Sequence, residues 1–228
     1  MTFAVPPLDP VGLAIEDSEA LLPVARAYCI GRNYADHSIE MGGNPDREEP
    51  FFFTKPATAI VPGGGEIAYP SATSDMHHEL ELVVALGKGG RDIAVGDALD
   101  HVFGYAVGID LTRRDLQAAA KKASRPWDMS KGFDQSGPIG TLMTVDACGH
   151  IDDAPMSLTV NGETRQSGNV NQMIWKPPEA IAYLSGLVEL RAGDIIFTGT
   201  PAGVAAVERG DSLHADVAGL PALDCTVV

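Results

Sequence analysis

The run His77-His78-Glu79-Leu80-Glu81-Leu82-Val83-Val84-Ala85-Leu86 constrains the fold of this chain more than any other segment, because alternate residues of a β-strand project from the same face. Glu79 and Glu81 therefore point the same way, while Leu80 and Leu82 anchor the other face in a core. An unpaired charge beside a core is costly, and a divalent cation between the two acids explains the arrangement. The next polar break in an apolar strand is Asp110, which follows Tyr105-Ala106-Val107-Gly108-Ile109. It would complete an all-oxygen set suited to Mg²⁺, Mn²⁺ or Ca²⁺ and not to Zn²⁺. Taken alone, two acids on one strand face more often meet solvent than metal, and Asp110 alone could cap a helix.

With 228 residues, of which 45% are apolar, the chain can bury a substantial core as one domain. Its 25 glycines and 16 prolines are spread through turn positions, which favours many short strands over a helical bundle. The formal charge of −15 argues against a general nucleic-acid binder. The charge is uneven, however: Arg113, Arg114, Lys121, Lys122, Arg125 and Lys131 share a stretch with only Asp115 and Asp128. A positive island in an acidic protein suits a small anionic substrate, although a solvated helix face accounts for part of it. Cys29, Cys148 and Cys225 are widely spaced, which suggests neither a disulfide framework nor a zinc site. No apolar run approaches the ~20 residues of a membrane span, and the first basic residue is Arg26, so no charged start to a signal peptide is visible. The expectation is a cytoplasmic protein with no membrane partner.

Residues 1–25, punctuated by Pro6, Pro7, Pro10 and Pro23, read as a short extended segment lying on a main domain of residues 26–228. Residues 25–30 read as a strand, and residues 33–41 as about two turns of helix stopped by Gly42-Gly43, with His37 and Glu40 on one face. Phe51-Phe52-Phe53 reads as a buried strand ending at Thr54-Lys55-Pro56. Thr112 and Asp115 make a capping signature for a helix reaching Lys122, which puts Asp110 at a strand-to-helix corner. Asn161-Gly162 marks a hairpin, and Pro177-Pro178-Glu179 opens a helix with Ile181, Leu184 and Val188 on one face. Residues 194–197 form a strand running into Thr198-Gly199-Thr200-Pro201, a tight turn rich in backbone donors.

A histidine steered by a carboxylate is a general base near neutral pH, so His37 and Glu40 could activate water, though both could equally be surface residues of a short helix. Arg32, Asn33, Lys55, Lys131 and the Thr198–Thr200 turn stand at strand ends or interrupt apolar stretches, where binding groups and purely structural residues both occur.

Five blocks together carry a resemblance: Gly31-Arg32-Asn33-Tyr34-Ala35-x-His37, His77-His78-Glu79-x-Glu81, Asp110-x-Thr112-x-Arg114-Asp115, Pro126-Trp127-x-x-x-Lys131 and Thr198-Gly199-Thr200-Pro201-x-Gly203-Val204. In this order they resemble the fumarylacetoacetate hydrolase family from about residue 26 onward. Residues 45–56 and 86–92 are most similar to bacterial fumarylpyruvate hydrolases of gentisate breakdown. The resemblance implies a mixed α+β, strand-rich β-roll with a few short helices, a homodimer, and Mg²⁺ or Mn²⁺ held by Glu79, Glu81 and Asp110. It implies a water-activating dyad of His37 and Glu40, a substrate site lined by Arg32, Asn33, Lys55, Arg114, Gln117 and Thr200, and Lys131 as a donor to an oxyanion. The implied activity is metal-dependent hydrolysis of the carbon–carbon bond of an acylpyruvate, a small anionic 2-oxo acid, with fumarylpyruvate giving fumarate and pyruvate. Oxaloacetate decarboxylation or tautomerisation is the rival within the family. A structural Ca²⁺ site in a noncatalytic binding protein is the alternative of a different class.

Overall fold

The computed structural model describes residues 2–35 and 48–228. Its centre is a mixed eight-stranded sheet that curls as a half-barrel. Strand order runs Phe51–Lys55, Arg26–Gly31, Asp194–Phe197, Leu80–Leu86, Val102–Ile109, Gly137–Ile139, Ile60–Pro62, with Met143–Thr144 pairing beside Val102–Ile109. A five-stranded sheet contains Glu163–Asn169, Pro155–Val160, Ser212–Val217, Leu223–Val227 and Gly65–Ile67. Thr112–Arg113, Met76–His77 and Ala206–Val207 form a small third sheet at the rim. The strand-rich β-roll with few helices implied by the sequence is the architecture found. Among the described residues no helix is long and apolar enough to cross a membrane.

The Leu80–Leu86 strand lies in the middle of the large sheet, and all seven of its residues are buried. Its period-two alternation serves two cores. Leu80, Leu82, Val84 and Leu86 pack with Leu158 and Leu213 of the five-stranded sheet. Val83 and Ala85 pack on the opposite face with Ile195, Phe197 and Leu13. Glu79 and Glu81 have the parity of Val83, so they continue that second face toward its open end. The amino-terminal segment contributes to the same face, because Gly12–Ala14 pairs with Leu21–Pro23 and seats Leu13 in the second core.

Strand register brings the third carboxylate to the first two. Leu80 stands opposite Ile109 and Glu81 opposite Gly108. One step beyond, the Asp110 amide donates to the Glu79 carbonyl at 2.8 Å. Residues directly opposite in a ladder share a face, so the Asp110 and Glu79 side chains meet. Gly108 admits no side chain opposite Glu81, since a Cβ there would lie 2.5 Å from Val83 Cγ2 and 2.8 Å from Phe197 Cε1.

Two expectations are corrected. Phe51–Lys55 is an edge strand, with Phe51 38% exposed and Phe52 and Phe53 half-buried; a triple aromatic run was read as core where it instead packs beside Trp127. The Thr112–Asp115 cap is not formed, although the helix does span Arg114–Lys122. Thr112 belongs to the rim strand and its hydroxyl turns back to the Asp110 carbonyl at 3.2 Å, while Asp115 accepts from the Thr73 hydroxyl at 2.6 Å. The Asn161-Gly162 hairpin is present, with both residues in the left-handed region at φ 52° and 81°. The helix expected from Pro177 spans Pro177–Leu187 and buries Ile181 and Leu184. Of the helix expected over 33–41, residues 36–41 lie outside the described residues, and His37 and Glu40 with them.

Leu82→Ala removes a fully buried side chain from the central strand and is expected to cost about 2–5 kcal/mol of unfolding free energy. Urea denaturation checks this as a lower midpoint at constant slope.

Candidate active site

The end of the central strand, the corner after Val102–Ile109 and the turn after Asp194–Phe197 converge on one point. Glu79, Glu81 and Asp110 are all buried there, and each offers a carboxylate oxygen within 4.8 Å of the others. Glu81 accepts the Gly199 amide at 2.6 Å. That turn is bolted to the central strand, since the Thr198 amide and hydroxyl both reach the Leu82 carbonyl, at 3.1 and 2.8 Å. Gly199 adopts φ +92°, and a Cβ on it would sit 2.7 Å from Asn33 Cβ, so the approach to Glu81 requires glycine.

Three cations answer two of the three carboxylates, Glu79 and Asp110. Lys131 Nζ lies 2.6 Å from Glu79 Oε2 and 2.7 Å from Asp110 Oδ2. Arg114 Nη2 lies 2.6 Å from Glu79 Oε1, and its Nη1 donates to Gln117 Oε1 at 2.8 Å. Lys55 Nζ lies 2.8 Å from Asp110 Oδ1 on the inner side. Burial works against the Lys131 ammonium, but the Asp110 and Glu79 carboxylates outweigh it and raise its pKa, so Lys131 remains a charged donor and not a base. Glu81 behaves oppositely. Burial, and then the charges of Asp110 and Glu79, push its carboxyl well above the ordinary glutamate range.

These residues fit a divalent ion. The donors are all carboxylate oxygens, the preference of Mg²⁺ and Mn²⁺. Glu81 takes part in no ion pair among the described residues, and Asp110 Oδ1 receives no directed hydrogen bond despite the nearby Lys55, so acceptor capacity remains inside the trio.

The cavity in front of the trio is lined by Arg32, Arg114, Gln117, Lys131 and Thr200 among the residues expected from the sequence. Asn33 and Lys55 do not line it. Asn33 is fully buried and its amide is spent on backbone, with Nδ2 donating to the Trp175 and Thr198 carbonyls at 2.9 and 2.7 Å and Oδ1 accepting the Trp175 amide at 2.7 Å. Lys55 lies behind Asp110, where its ammonium also donates to Ser136 Oγ at 3.0 Å and to the Lys131 carbonyl. Both position the site from the rear. Gln166 was not anticipated: it accepts the Leu80 amide at 2.9 Å and donates to Thr200 Oγ1 at 2.7 Å and the Pro201 carbonyl at 2.9 Å, tying the acidic strand to the glycine turn. Lys121, Phe53 and Trp127 also line the cavity. Of these, Lys121 had a signal, since Arg114, Gln117 and Lys121 follow helical spacing on one face.

The raised Glu81 pKa has a sign that can be checked. The folded chain holds this proton to higher pH than the unfolded chain, where a glutamate titrates near 4.5. The metal-free fold therefore loses stability as pH rises through and above that value. Glu81→Gln is expected to be more stable than the unaltered protein in EDTA at neutral pH, and to lose the rise in Tm that Mn²⁺ gives the unaltered protein. Thermal melts with and without metal read both effects; a variant that melts lower in EDTA and still responds to Mn²⁺ contradicts the assignment.

Comparison with known proteins agrees with this geometry. The family model for the fumarylacetoacetate (FAA) hydrolase C-terminal region matches residues 26–228. The crystal structure of fumarylpyruvate hydrolase from Pseudomonas aeruginosa, in complex with Mn²⁺ and pyruvate, is 50% identical with a TM-score of 0.97, covering 100% of this chain and 99% of that one. The mitochondrial oxaloacetate decarboxylase of Dictyostelium discoideum is 43% identical over 196 residues, 86% of this chain and 89% of that protein. The human mitochondrial oxaloacetate tautomerase is 42% identical over 192 residues, 84% of this chain and 86% of that protein. The chain belongs to the fumarylacetoacetate hydrolase family.

Proposed function

We propose that this protein hydrolyses the carbon–carbon bond of an acylpyruvate, with fumarylpyruvate the foremost candidate, releasing fumarate and pyruvate. The observation that carries the reading is that an oxygen-donor trio and three neutral or cationic donors, Arg114, Gln117 and Lys131, face one cavity. A relative at 50% identity solved with Mn²⁺ and pyruvate supports it. A divalent ion held by Glu79, Glu81 and Asp110 would supply Lewis acidity toward the carboxylate and 2-oxo oxygens of the bound acid and stabilise the departing enolate.

The chain's own residues do the rest. Lys131, kept charged by Glu79 and Asp110, and the amide group of Gln117 serve as donors to the oxyanion that develops at the acyl carbonyl. His37, steered by Glu40, takes a proton from water as the water oxygen bonds to the acyl carbon; this role rests on the sequence, since both residues lie outside the described ones. The bond between the acyl carbon and the pyruvate methylene then breaks, its electron pair leaves as the enolate of pyruvate, and the enolate carbon takes up the proton.

Oxaloacetate decarboxylation or tautomerisation is the second reading, favoured by the curated relatives at 42 and 43% identity. Loss of CO₂ from oxaloacetate yields the same enolate without an attacking water. The deciding experiment is a side-by-side assay of the purified, Mg²⁺-loaded protein on fumarylpyruvate and oxaloacetate with products identified. Fumarate and pyruvate formed with the higher kcat/KM support the hydrolase reading; rapid turnover of oxaloacetate alone replaces it with the second. His37→Ala is expected to lose at least ~100-fold in hydrolysis, on the scale of a removed general base, and much less on oxaloacetate. Equal losses on both would separate His37 from water activation.

A further inference from the structure

We propose that Arg32 and Lys121 form an outer anion subsite that grips a carboxylate at the far end of the acyl group, so that the cavity selects acylpyruvates that are dicarboxylates. The inference rests on the acylpyruvate reading and adds to it the residues that set substrate class.

Charge accounting separates the two ends of the cavity. At the inner end every cation has a carboxylate: Lys55 has Asp110, Lys131 has Asp110 and Glu79, and Arg114 has Glu79. Arg32 and Lys121 also line the cavity, yet among the described residues no carboxylate pairs with either. Among the described residues Glu79 and Glu81 are the acids on the wall, and both belong to the inner end. In a chain of net charge −15, two cations that face one cavity without a carboxylate partner among the described residues are a feature that an anionic ligand would explain.

Their surroundings reinforce this. Burial lowers the Lys121 pKa, and Arg32, Arg114 and Lys131 lower it further, with Glu79 the carboxylate acting in the other direction. An anion placed between Arg32 and Lys121 relieves that repulsion. Lys121 Nζ is seated 5.0 Å from the centre of the Trp127 ring, a cation–π contact that limits where the ammonium can go. Arg32 has φ +59°, a left-handed conformation uncommon outside glycine and often found at ligand sites. It is held there from both sides. A Cβ on Gly31 would lie 2.0 Å from Phe51 Cζ, and Asn33 is fixed by its bonds to Trp175 and Thr198.

The helix separates the two ends. Arg114, Gln117 and Lys121 share a face of the Arg114–Lys122 helix, with Arg114 bound to Glu79 at the metal-site end. At 1.5 Å rise per residue, Lys121 stands about 10 Å further along the axis than Arg114, so the two residues meet the cavity from different turns of the helix.

The test compares fumarylpyruvate with acetylpyruvate, which has a methyl group where the first continues to its second carboxylate. For Lys121→Met, the ratio of kcat/KM values, fumarylpyruvate over acetylpyruvate, is expected to fall about tenfold or more through a raised KM, the usual scale for a lost hydrogen bond to a charged group. Lys121→Arg is expected to restore most of the ratio. A ratio that stays put in Lys121→Met overturns the subsite, whatever happens to overall activity. Calorimetry on the Mg²⁺-loaded protein with pyruvate present gives a readout free of turnover: fumarate should bind tighter than crotonate, and Lys121→Met should erase the difference. Should the unaltered protein cleave neither acylpyruvate, the reaction reading fails, and calorimetry still decides the subsite: a fumarate preference that depends on Lys121 supports it, and equal binding of the two acids overturns it.

Discussion

The buried Lys131 ammonium, 2.6 Å from Glu79 and 2.7 Å from Asp110, is the contact on which the rest of the site depends. Three carboxylates gathered at the end of an apolar strand repel one another and have lost most of their water. Lys131, Lys55 and Arg114 offset that repulsion from three separate elements: a four-residue helix, an edge strand and the helix that follows the metal-site corner. Removing one partner of such a buried pair costs about 3–5 kcal/mol, because it leaves the other charge uncompensated. The acids and bases are therefore assembled together, and folding of the edge strand and both helices is a condition for the carboxylates to sit where they do.

The same balance explains why one scaffold supports related reactions. Hydrolysis of an acylpyruvate and loss of CO₂ from oxaloacetate both place negative charge on a pyruvate enolate, which a divalent ion held by the trio would stabilise in either reaction. In the proposed reading, what distinguishes the reactions lies away from the trio, in the water-activating pair expected from the sequence and in the outer wall of the cavity. Family membership extends over residues 26–228 and does not by itself name the individual reaction.

Legibility in the sequence followed the same division. Glu79 and Glu81 could be read because strand alternation is local, and Asp110 because it breaks an apolar run. What turned two acids and a third into a site was register, Asp110 opposite Glu79, which no local pattern states. Lys55 and Asn33 were recognisable as family positions, but their work, clasping Asp110 from behind and joining two backbone segments, depends on long-range contacts. Gln166 was silent for the same reason: its partners come from the start of the acidic strand and the glycine turn, 86 and 34 residues away respectively. The Phe51–Phe53 run misled because apolar composition reports packing and does not reveal whether a strand lies at an edge.

The Arg114–Lys122 helix has a consequence for how such an enzyme can diversify. Its first turn is tied to Glu79 and so to the charge balance, whereas its last turn meets the cavity through Lys121 and touches none of the three carboxylates. A substitution at Lys121 leaves the ion pair between Arg114 and Glu79 in place, whereas a substitution at Arg114 breaks it. If Lys121 grips the far end of the substrate as proposed, changes at the helix's outer end would alter the choice of substrate while the charge balance around the trio is kept.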